Sequence, residues 1–325
     1  MIDLAAIESA AKRLAGISVR TPLLQSFELD AAAGGKVLVK PECLQVTGSF
    51  KIRGAYNFLS QLSPEQARCG VVAFSSGNHA QGVAAAGSML GIQTAIVMPE
   101  DAPRAKLENT RRLGGEVITY DRYTGDREAL AREIAAERGA VVVPSYDHDY
   151  IIAGQGTVGL EIAEQSAELG MELDHVLVCC GGGGLIAGSA TALKALLPRV
   201  SVHTVEPEDF DDTARSLRSG TREQVDDSAR SICDALQAHT PGKLTFAINQ
   251  VLLGDGLTVS DAEVRDAMRF AFRHLKLVVE PGGAVALAAV LAGKIDTAGK
   301  TTAVVLSGGN VDVDLFAEIQ REGSG

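Results

Sequence analysis

Residues 175–186 read His175-Val-Leu-Val-Cys-Cys180-Gly181-Gly182-Gly183-Gly184-Leu185-Ile186. An apolar, β-branched run enters the glycines and an apolar helical stretch, Leu185–Leu196, leaves them, so the segment reads as strand, tight turn and helix. Four consecutive glycines let the backbone approach an anion closely. Their N–H groups and the positive end of the helix together form a phosphate cradle that needs no lysine. No Gly-Lys-Ser/Thr follows, which excludes a Walker-type nucleotide loop.

The same alternation extends outward in both directions. Upstream, Val71–Phe74, a helix to Leu90, Thr94–Met98, a helix from Pro103 to Leu113, Glu116–Tyr120, a helix to Arg138 and Ala140–Val143 form a βαβ series. Gly91, Gly114 and Gly139 each follow a helical stretch where a left-handed terminator is expected. Downstream come a helix Ala153–Leu169, the His175–Cys180 strand, and a strand Ser201–Val205. Ser260 and Glu263 then form a capping box opening a helix to about Lys276, and a final helix and strand end at Leu306. At the N-terminus, Asp3 caps a helix carrying Leu4, Ile7, Ala11 and Leu14, expected to pack outside a sheet. Alternating strands and helices predict an α/β fold with open, twisted parallel sheets, ligands binding beyond the carboxyl ends of the strands. Pro144–Tyr150 is the best domain crossing.

A chain of 325 residues is long enough for two domains, and 46% hydrophobic with 22% charged residues excludes a disordered chain. The formal net charge of -11 argues against nucleic acid or an anionic membrane as partner, so any anion site must be built locally. The longest apolar run, Val285–Leu291, is too short to span a bilayer, and no signal peptide opens the chain; the cytoplasm is the expected compartment. Five cysteines, Cys43, Cys69, Cys179, Cys180 and Cys233, without CxxC spacing, are expected to be buried free thiols.

Gly182, Gly184 and Ala187 also satisfy a dinucleotide-binding GxGxxA pattern, with Glu206 closing the next strand where a ribose-binding acid would sit. An NAD-dependent dehydrogenase explains that turn alone. It says nothing of Ser75-Ser76-Gly77-Asn78-His79, of Ser307-Gly308-Gly309-Asn310, or of Thr47-Gly48-Ser49-Phe50-Lys51. Lys51 opens an amphipathic helix, where the positive helix end disfavours the ammonium and frees the amine for nucleophilic chemistry.

These four motifs, in this order, resemble the serine/threonine dehydratase and serine racemase group of fold type II pyridoxal-phosphate enzymes, from about Ile7 to Phe316. The resemblance implies two open twisted parallel-sheet domains with the cofactor between them: a large domain from 1–63 and 148–325 and a small one from 64–147. It implies that Lys51 holds the cofactor aldehyde, with Phe50 beside it. Gly181, Gly182, Gly183 and Gly184 would bind the phosphate, Asn78 the ring hydroxyl, and Ser307 the pyridine nitrogen. Glu280, in Glu280-Pro281-Gly282-Gly283, would lie near the cofactor, although the family often has Ser or Thr where Gly282 stands. Ser75, Ser76, Gly77, Asn78 and His79 would take the substrate carboxylate, His79 in a structural role. A neutral hydroxyl at the ring nitrogen makes a weaker electron sink than a carboxylate pair, favouring β-elimination over a long-lived carbanion.

The reaction so implied is an ammonia-lyase, converting L-serine to pyruvate or L-threonine to 2-oxobutanoate, with Lys51 as tether and general base. Ser76, where family dehydratases commonly carry alanine, implies a second acid/base and serine racemase activity; a turn-forming serine is the other reading. Arg127 matches an arginine that in racemase relatives reaches a dicarboxylate, which brings in 3-hydroxyaspartate; an exposed arginine paired with neighbouring acids is equally consistent. Glu206, Asp212 and the Phe210 carbonyl resemble a divalent-cation site for Mg²⁺, Ca²⁺ or Mn²⁺, against a solvated acidic loop. A homodimer is expected, and no isoleucine feedback, since little chain follows Asn310. A pyridoxal-phosphate-binding sensor without turnover is the alternative from another class.

Overall fold

The computed structural model describes residues 2–102, 104–121 and 123–322; Pro103, expected to open a helix, lies outside them. Ten strands form two sheets. β1 (Leu24–Gln25), β2 (Lys36–Pro41), β7 (His175–Cys179), β8 (Ser201–Pro207), β9 (Leu257–Val259) and β10 (Thr301–Leu306) make one, ordered β1-β2-β10-β7-β8-β9. β3 (Val71–Phe74), β4 (Thr94–Pro99), β5 (Glu116–Tyr120) and β6 (Val141–Val142) make the other, ordered β5-β4-β3-β6. All pairings are parallel except β1 with β2, an antiparallel edge that the helix–strand alternation did not announce.

Both orders reverse direction at one point, and there the motif-bearing turns begin. In the larger sheet β7, β8 and β9 run outward in chain order and β10 returns to the other side of β7, so Gly181–Gly184 and Ser307 emerge together at the carboxyl ends of two neighbouring strands. In the smaller sheet β3 sits between β4 and β6, and its carboxyl end leads into Ser75–His79. A crevice at such a switch point is where open α/β sheets bind ligands.

Burial explains why the central strands read as unbroken apolar runs. Val37–Val39, Val176–Val178 and Ala303–Leu306 are covered on both faces, in part by the helix Pro281–Leu291, nearly all of which is buried. The helix Leu4–Leu14 is capped by Asp3, whose carboxylate accepts from the Ala6 N–H at 2.9 Å, but it packs against the helices Asp149–Glu168, Lys51–Leu59 and Gly184–Leu196 rather than a sheet. The Ser260 capping box forms, and its helix ends at Phe270 in a π-helical turn, Ala271–Leu275, before Lys276 at φ 60°. The helix expected from Ala153 starts at Asp149, because His148 caps it, and another helix, Val313–Glu322, follows the last strand. Cys179, Cys180 and Cys233 are buried thiols, whereas Cys69 is exposed and Cys43 half-buried, since neither lies on a central strand.

Candidate active site

Lys51 is the first residue of the helix Lys51–Leu59. That helix is fixed from behind by a buried ionic cluster: Arg53 Nε donates to Glu42 at 2.8 Å, Arg53 Nη1 to Glu161 at 2.7 Å, and Lys40 Nζ to Glu161 at 2.5 Å. Arg53, Lys40 and Glu42 have no exposed surface, so each charge depends on its partners; removing one such partner typically costs about 3–5 kcal/mol. On the open side Lys51 Nζ donates to the Ser145 carbonyl at 2.9 Å. Burial lowers its pKa to about 8, so the amine is substantially neutral in mildly alkaline water.

A cleft of about 1180 Å³ lies between the two sheets. Phe50 and Lys51 line it together with Ser75–His79 from the end of β3, Gly181–Gly184 from the end of β7, Ser307 from the end of β10, and Glu280. The Phe50 N–H donates to the Ser307 carbonyl at 3.1 Å, which ties the lysine turn to the β10 turn. Asn78 Nδ2 donates to Glu280 at 2.5 Å, and Asn310 Nδ2 donates to the Asn78 oxygen at 2.7 Å. Burial, reinforced by Asp234, raises Glu280 to about 7. Gly308 passes so close that a Cβ there would stand 2.1 Å from Glu280 Oε1.

The glycine turn is shaped by its neighbours as well as by its own sequence. Gly183 has φ +93°, and a Cβ on Gly182 would lie 2.4 Å from the Tyr146 ring. Behind it, Thr245 Oγ1 donates to the Gly182 carbonyl at 2.7 Å. Asp147 accepts from the N–H groups of Lys243, Leu244 and Thr245, capping the helix Lys243–Leu252. The sequence marks Ser145, Tyr146 and Asp147 only as part of a candidate domain crossing; in the structure the segment joins β6 to the helix Asp149–Glu168 and walls the site. Their one sequence signal is that they directly follow a strand end, as the recognised motifs do.

The remaining sequence-derived candidates divide by position. His79 is buried, its Nε2 3.2 Å from the Val143 carbonyl, and burial with the nearby Lys51 charge lowers it to about 3, leaving a neutral ring. Ser76 is half-buried in the cleft wall. Arg127 is exposed at the rim, its guanidinium 5.9 Å from the Phe74 ring centroid, with no ion pair to a neighbouring acid among the described residues. Glu206 and Asp212 lie away from the cleft lining, buried side by side below Cys180. Glu206 accepts from the Thr213 N–H at 3.0 Å and the Ala214 N–H at 2.7 Å, at the start of the helix Asp212–Ser219. Glu206 is turned to these N–H groups and is not part of the cleft wall, so it does not stand where the dinucleotide reading of Gly182, Gly184, Ala187 and Glu206 would need a ribose-binding acid.

The chain matches the family of pyridoxal-phosphate dependent enzymes over residues 16–308. It belongs to that family. Among curated relatives it is 45% identical to an L-threo-3-hydroxyaspartate ammonia-lyase of a Pseudomonas species, covering 96% of each chain. It is 42% identical to a serine racemase of Schizosaccharomyces pombe, covering 96% of this chain and 95% of the relative. The structure of maize serine racemase superposes with a TM-score of 0.92 at 38% identity, covering 98% and 97% of the two chains. The cleft fits the cofactor on its own terms: it offers a neutralisable amine at one wall and, at another, a glycine turn whose Cβ positions are already taken by Tyr146, Asn249 and Thr245. Among the described residues no helix is long and apolar enough to cross a membrane.

Proposed function

We propose that this chain is a pyridoxal-phosphate-dependent ammonia-lyase for small β-hydroxy amino acids, 3-hydroxyaspartate beside L-serine and L-threonine, with serine racemase side activity. The observation that carries the reading is the Lys51 amine, held by the Ser145 carbonyl and facing the same cleft as Ser75–His79, Gly181–Gly184 and Ser307. When bound, the cofactor supplies an electron sink for the bond broken at the substrate Cα.

Lys51 would hold the cofactor aldehyde and would then serve as base, a role its lowered pKa favours because more of the amine is neutral than in an ordinary lysine. The N–H groups at the start of the helix Asn78–Leu90 receive the substrate carboxylate. Gly181–Gly184 would hold the cofactor phosphate, and Asn78, oriented by Glu280 and Asn310, would hold the ring hydroxyl. Ser307 would hold the ring nitrogen. Ser76 acts as the second acid/base. Arg127, without a carboxylate partner, is available to a substrate β-carboxylate, and the 45% identical hydroxyaspartate ammonia-lyase supports that substrate.

A divalent cation of the Mg²⁺ class joins Glu206, Asp212 and the Phe210 carbonyl. Asp212 Oδ2 is buried without a hydrogen-bond partner, and both carboxyls are raised, Asp212 to about 7 and Glu206 well above the usual range, chiefly by burial. A bound cation compensates both charges. The protein acts as a cytoplasmic homodimer; Phe27, 89% exposed, is apolar surface that a second copy can cover.

Assaying the loaded protein against L- and D-serine, L-threonine and both 3-hydroxyaspartate diastereomers tests the reading. Release of ammonia and a 2-oxo acid is expected. Cofactor binding without turnover of any of these would leave the sensor alternative standing.

A further inference from the structure

At the end of the large sheet opposite the cleft, His175 opens β7 and His203 lies on β8. The parallel register pairs His175 with Ser201 and Leu177 with His203, so the two imidazoles are diagonal neighbours on rigid strands. Nδ1 of His175 and Nε2 of His203 are 3.3 Å apart. A tetrahedral ion with metal–nitrogen bonds of about 2.0–2.1 Å holds its ligand nitrogens at roughly that separation.

The far side of His203 is arranged as a metal-binding imidazole requires. Its Nδ1 lies 3.3 Å from the Asp255 carbonyl, and an N–H donated there leaves the Nε2 lone pair directed at His175. In the metal-free chain that lone pair accepts from the Nδ1–H of His175, and a bound ion takes the place of this proton, which the buried, unpartnered Nε2 of His175 can carry instead. Burial lowers the pKa of both rings. Around His175 the charged neighbours are Lys300, Asp174 and Asp296, and around His203 they are Asp255 and Lys194. Both rings are half-buried, leaving a path for an ion and its waters.

We propose that His175 and His203 chelate one borderline divalent transition ion of the Zn²⁺ class, with water completing its coordination. Among the described residues no group of three His, Cys, Asp or Glu side chains gathers here, so the ion is held by two protein nitrogens and exchanges readily. Nitrogen ligands set this site apart from the oxygen set at Glu206 and Asp212, which suits Mg²⁺. Binding only to the folded chain, the ion cross-links β7 to β8 and raises apparent stability.

The test uses the full chain loaded with pyridoxal phosphate in excess Mg²⁺, titrated with Zn²⁺ by calorimetry, without substrate. One equivalent of Zn²⁺ is expected to bind, with His203→Gln and His175→Gln each weakening it by about tenfold or more. Wild-type melting temperature should rise with Zn²⁺ and return on chelation, and the variants should not respond. Should a variant fold poorly, the wild-type histidine C2–H proton signals decide: two of the set must shift with Zn²⁺. Unchanged affinity in both folded variants, no shifted histidine signals, or loss of binding on alkylating the exposed Cys69 would each overturn the proposal.

Discussion

Lys51 and Ser145 stand 94 residues apart in the chain, and the Lys51 amine donates to the Ser145 carbonyl at 2.9 Å. The contact joins the first turn of the helix Lys51–Leu59, whose apolar residues pack with Val71, Ala73 and Ile96 of the smaller sheet, to the segment that follows β6. It aims a half-buried amine into the cleft and presents it with a neutral acceptor rather than a carboxylate, so burial outweighs the pull of Glu280 and the lysine pKa stays low.

Capture of pyridoxal phosphate should follow that pKa. The rate at which apo-protein forms a borohydride-reducible adduct is expected to rise with pH and level off above about 8, where the amine is neutral, instead of climbing toward the ordinary value of 10.5. The unfolded chain retains this proton up to its ordinary pKa, so the contribution of Lys51 to apo-protein stability improves as pH rises from about 8 to 10.5. Lys51→Ala should form no adduct and turn over nothing. An adduct of undiminished yield in that variant would remove Lys51 from the mechanism.

The glycine turn predicts a steric result. In Gly182→Ala the new Cβ would stand 2.4 Å from the Tyr146 ring, and crowding of this kind typically costs about 1–3 kcal/mol. Cofactor affinity measured by fluorescence titration should fall by about tenfold, a change corresponding to 1.4 kcal/mol. Adding Tyr146→Ala should recover part of it by making room.

Reversing stereochemistry needs a proton donor on the face opposite Lys51, and Ser76 is the candidate. Ser76→Ala should lose formation of D-serine from L-serine while keeping much of its pyruvate production, because Lys51 alone removes the L-substrate proton. Chiral chromatography beside a pyruvate assay reads both. Equal loss of the two activities would leave Ser76 as a carboxylate-binding turn.

Removing the charge of Arg127 should separate substrates. Arg127→Met is expected to raise KM for 3-hydroxyaspartate by about tenfold or more, the loss of one charge-assisted contact, with KM for L-serine little changed. A parallel change for both substrates would assign the residue to packing against Phe74.

Asp212 carries a linked prediction for the cation. Its folded pKa is raised to about 7, so without metal its contribution to stability is present at low pH and lost as pH rises from about 3.8 to 7. Asp212→Asn should therefore be no less stable than wild type at pH 7.5 in EDTA, while losing the rise in melting temperature that Mg²⁺ gives wild type. An unaltered Mg²⁺ response in Asp212→Asn would show that the ion binds elsewhere.

Gly282 illustrates how far one sequence reaches. In sequence it is a departure from a family pattern that often has Ser or Thr there. A Cβ there would stand 3.1 Å from Leu236 Cγ and 3.3 Å from Ala235 Cβ, so a larger residue would have to displace the segment around Asp234–Leu236 by a few tenths of an ångström. The contact spans nearly fifty residues of the chain, the least patterned stretch of which gave no sign of where it would lie.

By itself the sequence determined the alternation of strands and helices, the glycine and serine turns, and the lysine that opens a helix. These rest on local physics: side-chain periodicity, left-handed glycines, and backbone N–H groups freed at helix starts. The ordered motifs added a family resemblance and with it a chemistry. Tertiary structure alone decided the rest. It brought the ends of β3, β7 and β10 to one cleft, set Tyr146 against Gly182, buried Arg53 behind Lys51, and turned Glu206 into the partner of two backbone N–H groups instead of a ribose. It set the strand order and the antiparallel edge at β1, and it brought His175 to His203. Those are pairings between residues distant in the chain, fixed by which apolar faces can be buried together, and no periodicity within a single segment encodes them.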